Sequence, residues 1–202
     1  MPRPVSDVRQ RILEDAIKTY VSEGSPALRV QEVANSVGAS VATIYKYFNS
    51  REKLVDAVIV ELFRRVTQQA RDITEKHRKN LFSSKSSRPF IDQYLELSQK
   101  PEMAKIRKMR MRLLGDATTR PKVFKEISQI YHDDRVADAQ ALELLMKQGR
   151  INASVDPVAL SYLISGTIFS QIAFENGPRA QEIIQPFKAL TTEAFGRLLD
   201  PH

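Results

Sequence analysis

The sequence contains no cysteine. Disulfide cross-links and thiol catalysis are therefore excluded, which fits a reducing, cytoplasmic setting. No run of about 18 apolar residues occurs, so no segment is expected to span a membrane. The opening stretch, Met1-Pro-Arg-Pro-Val-Ser-Asp7, lacks the apolar middle of a signal peptide. Strand signals are nearly absent, because β-branched residues fall into 3.6-residue patterns rather than alternating ones. Catalytic motifs are equally scarce: there is no glycine-rich phosphate loop, nucleophile elbow or paired-carboxylate motif. His77, His132 and His202 are too scattered for a metal cluster, and His132-Asp133-Asp134 reads better as helix surface. No enzymatic activity, metal or cofactor is expected.

What the chain does have is positive charge and helical periodicity. Its 31 Lys and Arg outnumber 24 Asp and Glu, a net charge of +7 that favours a polyanionic partner. A first helix is expected from about Asp7 to Glu23, with Val8, Ile12, Ala16, Ile17 and Tyr20 as its apolar stripe. A second begins near Val30, and a third runs from Val41 to Phe48 with Ser40 as its N-cap. A fourth starts after Ser50 and continues to about Lys79. Ser83-Ser-Lys-Ser-Ser-Arg-Pro89 reads as a loop. Prolines and caps then mark helices at about 88–99, 101–115, 121–149, 157–174 and 186–199. The fold class is all-α. The expected organisation is a three-helix domain over residues 1–50, a connecting helix over 51–80, and a second helical domain over 81–202.

The most informative stretch is residues 28–54. Two short amphipathic helices meet at a turn where Gly38 can adopt a left-handed conformation. The predicted core of this unit is Ile12, Leu13, Ala16, Ile17, Tyr20, Val30, Val33, Val37, Ile44 and Phe48. Lys46 then points outward, flanked by Tyr45 and Tyr47, side chains that suit phosphates and base edges. The residues Val33-Ala34, Val37-Gly38-Ala39-Ser40, Thr43-Ile44-Tyr45-Lys46-Tyr47-Phe48 and Ser50-Arg51-Glu52-Lys53-Leu54 together resemble the signature of TetR-family transcriptional regulators. The resemblance covers about forty residues including the first-helix stripe. Beyond them it extends only to helix count, order and length.

That resemblance implies DNA contacts at Ser40, Ala42, Thr43, Tyr45, Lys46, Tyr47 and Arg51. Thr43 and Lys46 are assigned to bases, and Ser40, Tyr45, Tyr47 and Arg51 to the phosphate backbone. Val30 stands where the family often has a phosphate-binding threonine, and Val41 where a polar residue is frequent.

The segment from Val158 to Phe174 has no charge and no strong polar face, so it needs cover on nearly all sides. A second copy of the chain is the economical cover, and TetR relatives dimerise through such helices. The expected dimer interface is Ser161, Tyr162, Ser165, Gly166 and Phe169, joined by Phe187, Leu190, Ala194, Phe195 and Leu198 on the last helix. The alternative is a central core helix of a monomer. A two-fold dimer requires a palindromic operator on double-stranded DNA, its half-sites about 34 Å apart.

Aromatic and methionine side chains in the middle helices suit an adaptable, largely apolar effector cavity, which the family resemblance also implies. The candidate lining is Phe63, Val66, Phe90, Tyr94, Met103 and Ile106, with Met109, Arg110, Leu113, Phe124, Ile127, Tyr131 and Phe169. Phe82 belongs to the same apolar set, and plain core packing is the alternative for each. The basic run Lys100 to Arg112 reads mainly as a solvated face; the alternatives are an anionic effector at the pocket mouth or extra DNA backbone contact, and Arg110 is the best placed to turn inward. The resulting expectation is a homodimeric repressor released from DNA by a small molecule. The alternatives are a DNA-binding protein of the same fold without a ligand, or an activator. A chain without a ligand would show a filled core.

Overall fold

The computed structural model describes residues 5–81 and 87–200. Phe82, most of the serine-rich loop and His202 lie outside them. The described residues form nine α-helices and no strand: α1 (Val5–Glu23), α2 (Val30–Val37), α3 (Val41–Phe48), α4 (Arg51–Leu81), α5 (Ser87–Ser98), α6 (Pro101–Ala117), α7 (Pro121–Lys147), α8 (Pro157–Ser170) and α9 (Ala180–Leu199). Two short 3-10 turns, Ser25–Ala27 and Gln171–Ala173, complete the path. The chain divides into two compact units, one of residues 1–65 and 113–127, the other of 66–112 and 128–202. The division differs from boundaries at 50 and 80. It falls inside α4, α6 and α7, and the segment 113–127 joins the N-terminal unit.

The first unit is built on the stripe of α1. Ile12, Ala16, Tyr20 and Ile44 are wholly inaccessible to solvent, and Leu13, Ile17, Val30, Val33, Val37 and Phe48 are also buried. Burying each large apolar side chain contributes roughly 1.5–3 kcal/mol relative to leaving it exposed. The segment 113–127 adds Leu113, Ala117, Val123 and Ile127 to the buried set. Arg120 fixes it further by donating to Asp56 on α4 at 2.6 Å.

In the second unit α5 packs along α9. Thr192 donates to Asp92 at 2.6 Å, Lys188 pairs with Glu96 at 2.8 Å, and Arg88 pairs with Glu193 at 2.6 Å. Beneath lies an apolar cluster that includes Phe90, Leu95, Leu142, Leu145, Leu160, Ile164, Phe195 and Leu199. Asp156 caps α8 by accepting from the Ala159 N–H at 2.6 Å, with Pro157 at the first helical position. α8 stops at Ser170 instead of running to Phe174. The chain tightens there into a 3-10 turn, and buried Gln171 donates to the Ser98 hydroxyl at 3.1 Å. α9 starts at Ala180 and contains Pro186 in its interior.

Candidate nucleic-acid interface and effector cavity

α2 ends on Gly38, whose φ of 64° and ψ of 39° lie in the left-handed region. That geometry turns the chain into Ser40, which caps α3: its hydroxyl accepts from the Thr43 N–H at 3.0 Å and lies 2.8 Å from the Thr43 hydroxyl. The two hydroxyls expected to meet DNA are therefore also each other's partners. Ile44 and Phe48 anchor α3 to the core, leaving Ala42, Tyr45 and Lys46 exposed on the opposite side. Tyr47 is half-buried, and Val41 is half-buried at the start of the helix. No acidic residue occurs from Gly38 to Arg51, so the exposed face of α3 carries only positive charge.

Arg51 is placed differently from the sequence reading. Its guanidinium turns back onto the loop before α2, donating to the Leu28 carbonyl at 2.8 Å and the Ser25 carbonyl at 2.5 Å. Carbonyls left over at the 3-10 turn outcompete a free position at the surface, so most of its donors are directed inward. Val30 is buried at the start of α2. The neighbouring Arg29 is instead exposed, paired only with Glu32 at 3.7 Å. It is a cation at a helix N-terminus that the sequence reading did not single out.

Within the second unit a cavity of about 340 Å³ is lined by Phe90, Tyr94, Leu142 and Ile164 and by Arg71, Arg135, Asp138 and Ser161, among others. A smaller space of about 50 Å³ shares Arg71, Tyr94, Arg135 and Asp138 with it and adds Met103, Ile106, Arg110 and Phe169. Of the thirteen residues expected to line a pocket, Phe90, Tyr94, Met103, Ile106, Arg110 and Phe169 thus lie on these walls. The others do not. Phe63, Leu113 and Ile127 are fully buried in the core of the first unit, and Phe124 is 42% exposed. Val66 is buried outside both spaces, and Met109 is half-buried. Tyr131 is committed to the Ser165 hydroxyl at 2.7 Å and stacks edgewise on Phe169.

The polar end of these spaces was not legible as such. Asp134, expected at a helix surface, is 3% exposed and accepts from Arg71 at 3.0 Å, Arg110 at 3.3 Å and Arg135 at 2.6 Å. Asp138 pairs with Arg135 at 2.9 Å. Burial pushes the Asp138 carboxyl above its ordinary range against the pull of Arg135. Burial likewise lowers the Arg110 guanidinium, opposed by Asp134. Tyr94 keeps some accessible surface because it faces the cavity, but burial, reinforced by the charge of Asp138, raises its phenol to about 12.

The basic run on α6 divides by face. Lys105 and Lys108 are exposed, whereas Arg107 and Arg110 are buried. Arg107 donates to the Ser98 carbonyl at 2.6 Å and pairs with Glu175. Arg110 turns inward as its place beside Met109 suggested, and buried Arg107 is a second inward cation that the reading of a mainly solvated run did not single out.

α8 also has two faces. Ser161, Ser165 and, on α9, Phe195 were expected at a subunit interface but are buried within the chain itself. Ser161 and Ser165 serve Arg135 and Tyr131, and Phe195 belongs to the apolar cluster. Phe169 and Phe187 are half-buried. The opposite face is apolar and uncovered: Tyr162 is 38%, Leu163 53%, Leu190 72% and Leu198 41% exposed, with Gly166 and Ala194 between them. Leu163 was missed because the whole helix looked equally apolar.

Residues 12–58 match the family model for bacterial regulatory proteins of the tetR family. An uncharacterized HTH-type transcriptional regulator of Pseudomonas putida, TtgW, is 28% identical over 53 residues. The match covers 26% of this chain and 40% of that protein. A TetR-family transcriptional regulator of Pectobacterium atrosepticum superposes with a TM-score of 0.61 at 18% identity, covering 98% of this chain and 97% of that one. A Saccharomonospora viridis protein solved in complex with choline gives a TM-score of 0.62 at 21% identity, over 92% and 95% of the two chains. The fold is that of the TetR class of transcriptional regulators, an N-terminal helix-turn-helix followed by a helical C-terminal region. The match to the family model is confined to the helix-turn-helix unit and the start of α4.

Proposed function

We propose that the chain is a homodimeric, ligand-responsive regulator of transcription that acts as a repressor in the cytoplasm. The observation that carries the reading is the exposed, acid-free face of α3, held by a Gly38 turn and a Ser40 cap within the family-matched helix-turn-helix. Lys46 and Thr43 read base edges in the major groove, while Ser40, Ala42, Tyr45 and Tyr47 set register against the backbone. Arg51 acts indirectly, by fixing the loop before α2. Arg29 is the better candidate for a phosphate at that end of the unit.

Two copies related by a two-fold axis match a palindromic operator. The uncovered faces of α8 and α9, centred on Leu163 and Leu190, supply the self-complementary surface. Repression needs only occupancy of a promoter. The cavity of about 340 Å³ supports a small-molecule effector over a filled, ligand-free core. An effector that binds one arrangement of the dimer better than the other shifts the population away from the DNA-binding form.

The test is operator binding by the chain and its Lys46→Ala/Tyr47→Ala variant, with the dimer checked by sedimentation. Binding should fall at least about tenfold while the dimer persists, and the affinity of the unaltered chain should drop steeply with salt. Undiminished binding by the variant would remove α3 as the reading element.

A further inference from the structure

We infer that the cavity takes an organic acid, an apolar body carrying one carboxylate that docks between Arg110 and Arg135. The inference rests on the reading of this cavity as the effector site and adds the chemical class of the ligand. It takes up the anionic effector that Arg110 suggested in the sequence and sets it against a wholly apolar one.

The argument begins with unspent donors. Arg110 is 7% exposed and Arg135 5%, and the Nε–H of each has no hydrogen-bond partner. A buried guanidinium donor left unpaired is costly, and such groups normally find an acceptor. Both residues line the 50 Å³ space, and Arg135 lines the larger one as well. The Tyr94 hydroxyl, on the wall of both, also has no hydrogen bond among the described residues.

The hydrogen-bonding pattern points the same way. Arg71, Arg110 and Arg135 pair with Asp134 and Asp138, and Glu75 also stands on the wall of the larger cavity. The two unpaired Nε–H donors match the two oxygens of one carboxylate better than the larger charge of a phosphate dianion. Asp134 already accepts from all three arginines, so it cannot readily take up the spare donors.

Shape completes the argument. The larger space shares Arg71, Tyr94, Arg135 and Asp138 with the smaller one, and its walls include Phe90, Ala141, Leu142 and Ile164, a surface for hydrocarbon. An arginine pair with a phenol is well matched to the planar, bidentate geometry of a carboxylate. A cation such as the choline bound by the structural neighbour would meet the wrong sign here.

The experiment compares three isosteric probes on the full-length chain by calorimetry: 4-phenylbutyrate, 4-phenylbutanol and 4-phenylbutylamine. The acid should bind at least about tenfold more tightly than the alcohol, and the amine should bind weakest. Arg110→Gln should abolish the preference for the acid. Asp138→Asn should strengthen acid binding, an opposite response that a merely damaged fold does not give. Equal binding of alcohol and acid, preference for the amine, no binding of any probe at millimolar concentration, or weaker acid binding by Asp138→Asn would each overturn the inference. Operator binding is read separately. An acid that binds without changing DNA affinity leaves the ligand class standing and removes the ligand-responsive mechanism. A DNA response equal for acid and alcohol does the reverse.

Discussion

The phenol of Tyr20, fully buried in α1, donates a 2.6 Å hydrogen bond to the carboxylate of Asp116, 96 residues further along the chain. It ties the end of α6 into the core of the helix-turn-helix unit. Tyr20→Phe keeps the ring and removes the donor, so it should cost about 1.5–3 kcal/mol, the range for a hydrogen bond to a charged group. Urea denaturation of the variant checks it; an unchanged midpoint would mean that the bond adds nothing net.

The turn before α3 can be tested at two adjacent positions. A Cβ added at Gly38 meets no atom within 4 Å, so Gly38→Ala probes the left-handed backbone alone. The expected cost is about 1 kcal/mol. Ser40→Ala removes the cap of α3 and should also cost about 1 kcal/mol. Thermal melts of the two single variants read both effects.

Arg107→Met should be far more damaging. It leaves Glu175, whose side chain is 12% exposed, without its cation, and the Ser98 carbonyl without its donor. Breaking one half of a buried pair costs about 3–5 kcal/mol. Replacing Arg107 and Glu175 together by Met and Gln should recover part of the loss, as measured by chemical denaturation.

Acid should loosen the first unit through two carboxylates. Hydrogen bonding from Arg65 holds Glu14 below its ordinary range. Burial would raise Asp56, but bonds from Lys53 and Arg120 outweigh it and lower the group. For a lowered carboxylate the stabilisation is present above the unfolded-state pKa and is lost as pH falls through the folded one. Stability should therefore decline below about pH 4. Glu14→Gln/Asp56→Asn should be less stable at pH 7 and show a flatter acid limb in denaturation midpoint against pH.

If the uncovered faces of α8 and α9 join two copies, placing a charge in their middle should separate them. Leu163→Glu/Leu190→Glu should sediment as a monomer at micromolar concentration and retain the helical signal of the parent chain. A dimer that survives both substitutions must use another surface.

The three-helix part of the first unit was legible in the sequence because its determinants are local, whereas the distant segment 113–127 that completes the unit was not. Every one of its ten predicted core residues is buried, and the ends of α2 and α3 follow Gly38, Ser40 and the apolar spacing. The cavity was less legible. On α7 the inward stripe runs through Ile127, Tyr131, Leu142 and Leu145, and Asp134 and Asp138 continue it at the same spacing. Charges inside an apolar stripe were a signal for buried ion pairs. Their partners Arg71 and Arg110 come from α4 and α6, however, so only the assembled unit displays the cluster. Phe124 failed in the opposite sense: an aromatic residue was taken for a lining group but stands on an exposed face. Arg51 failed because the carbonyls that hold it belong to a turn whose shape the sequence did not specify.

That same Arg51 links the two ends of the helix-turn-helix unit. It is the first residue of α4, and its guanidinium grips the carbonyls of Ser25 and Leu28, just ahead of α2. The root of α4 and the entrance to α2 are thus clasped at one point. Two hydrogen bonds resist any slip of that loop, so the angle at which α2 enters the unit is fixed by the residue that begins α4 rather than by the loop itself.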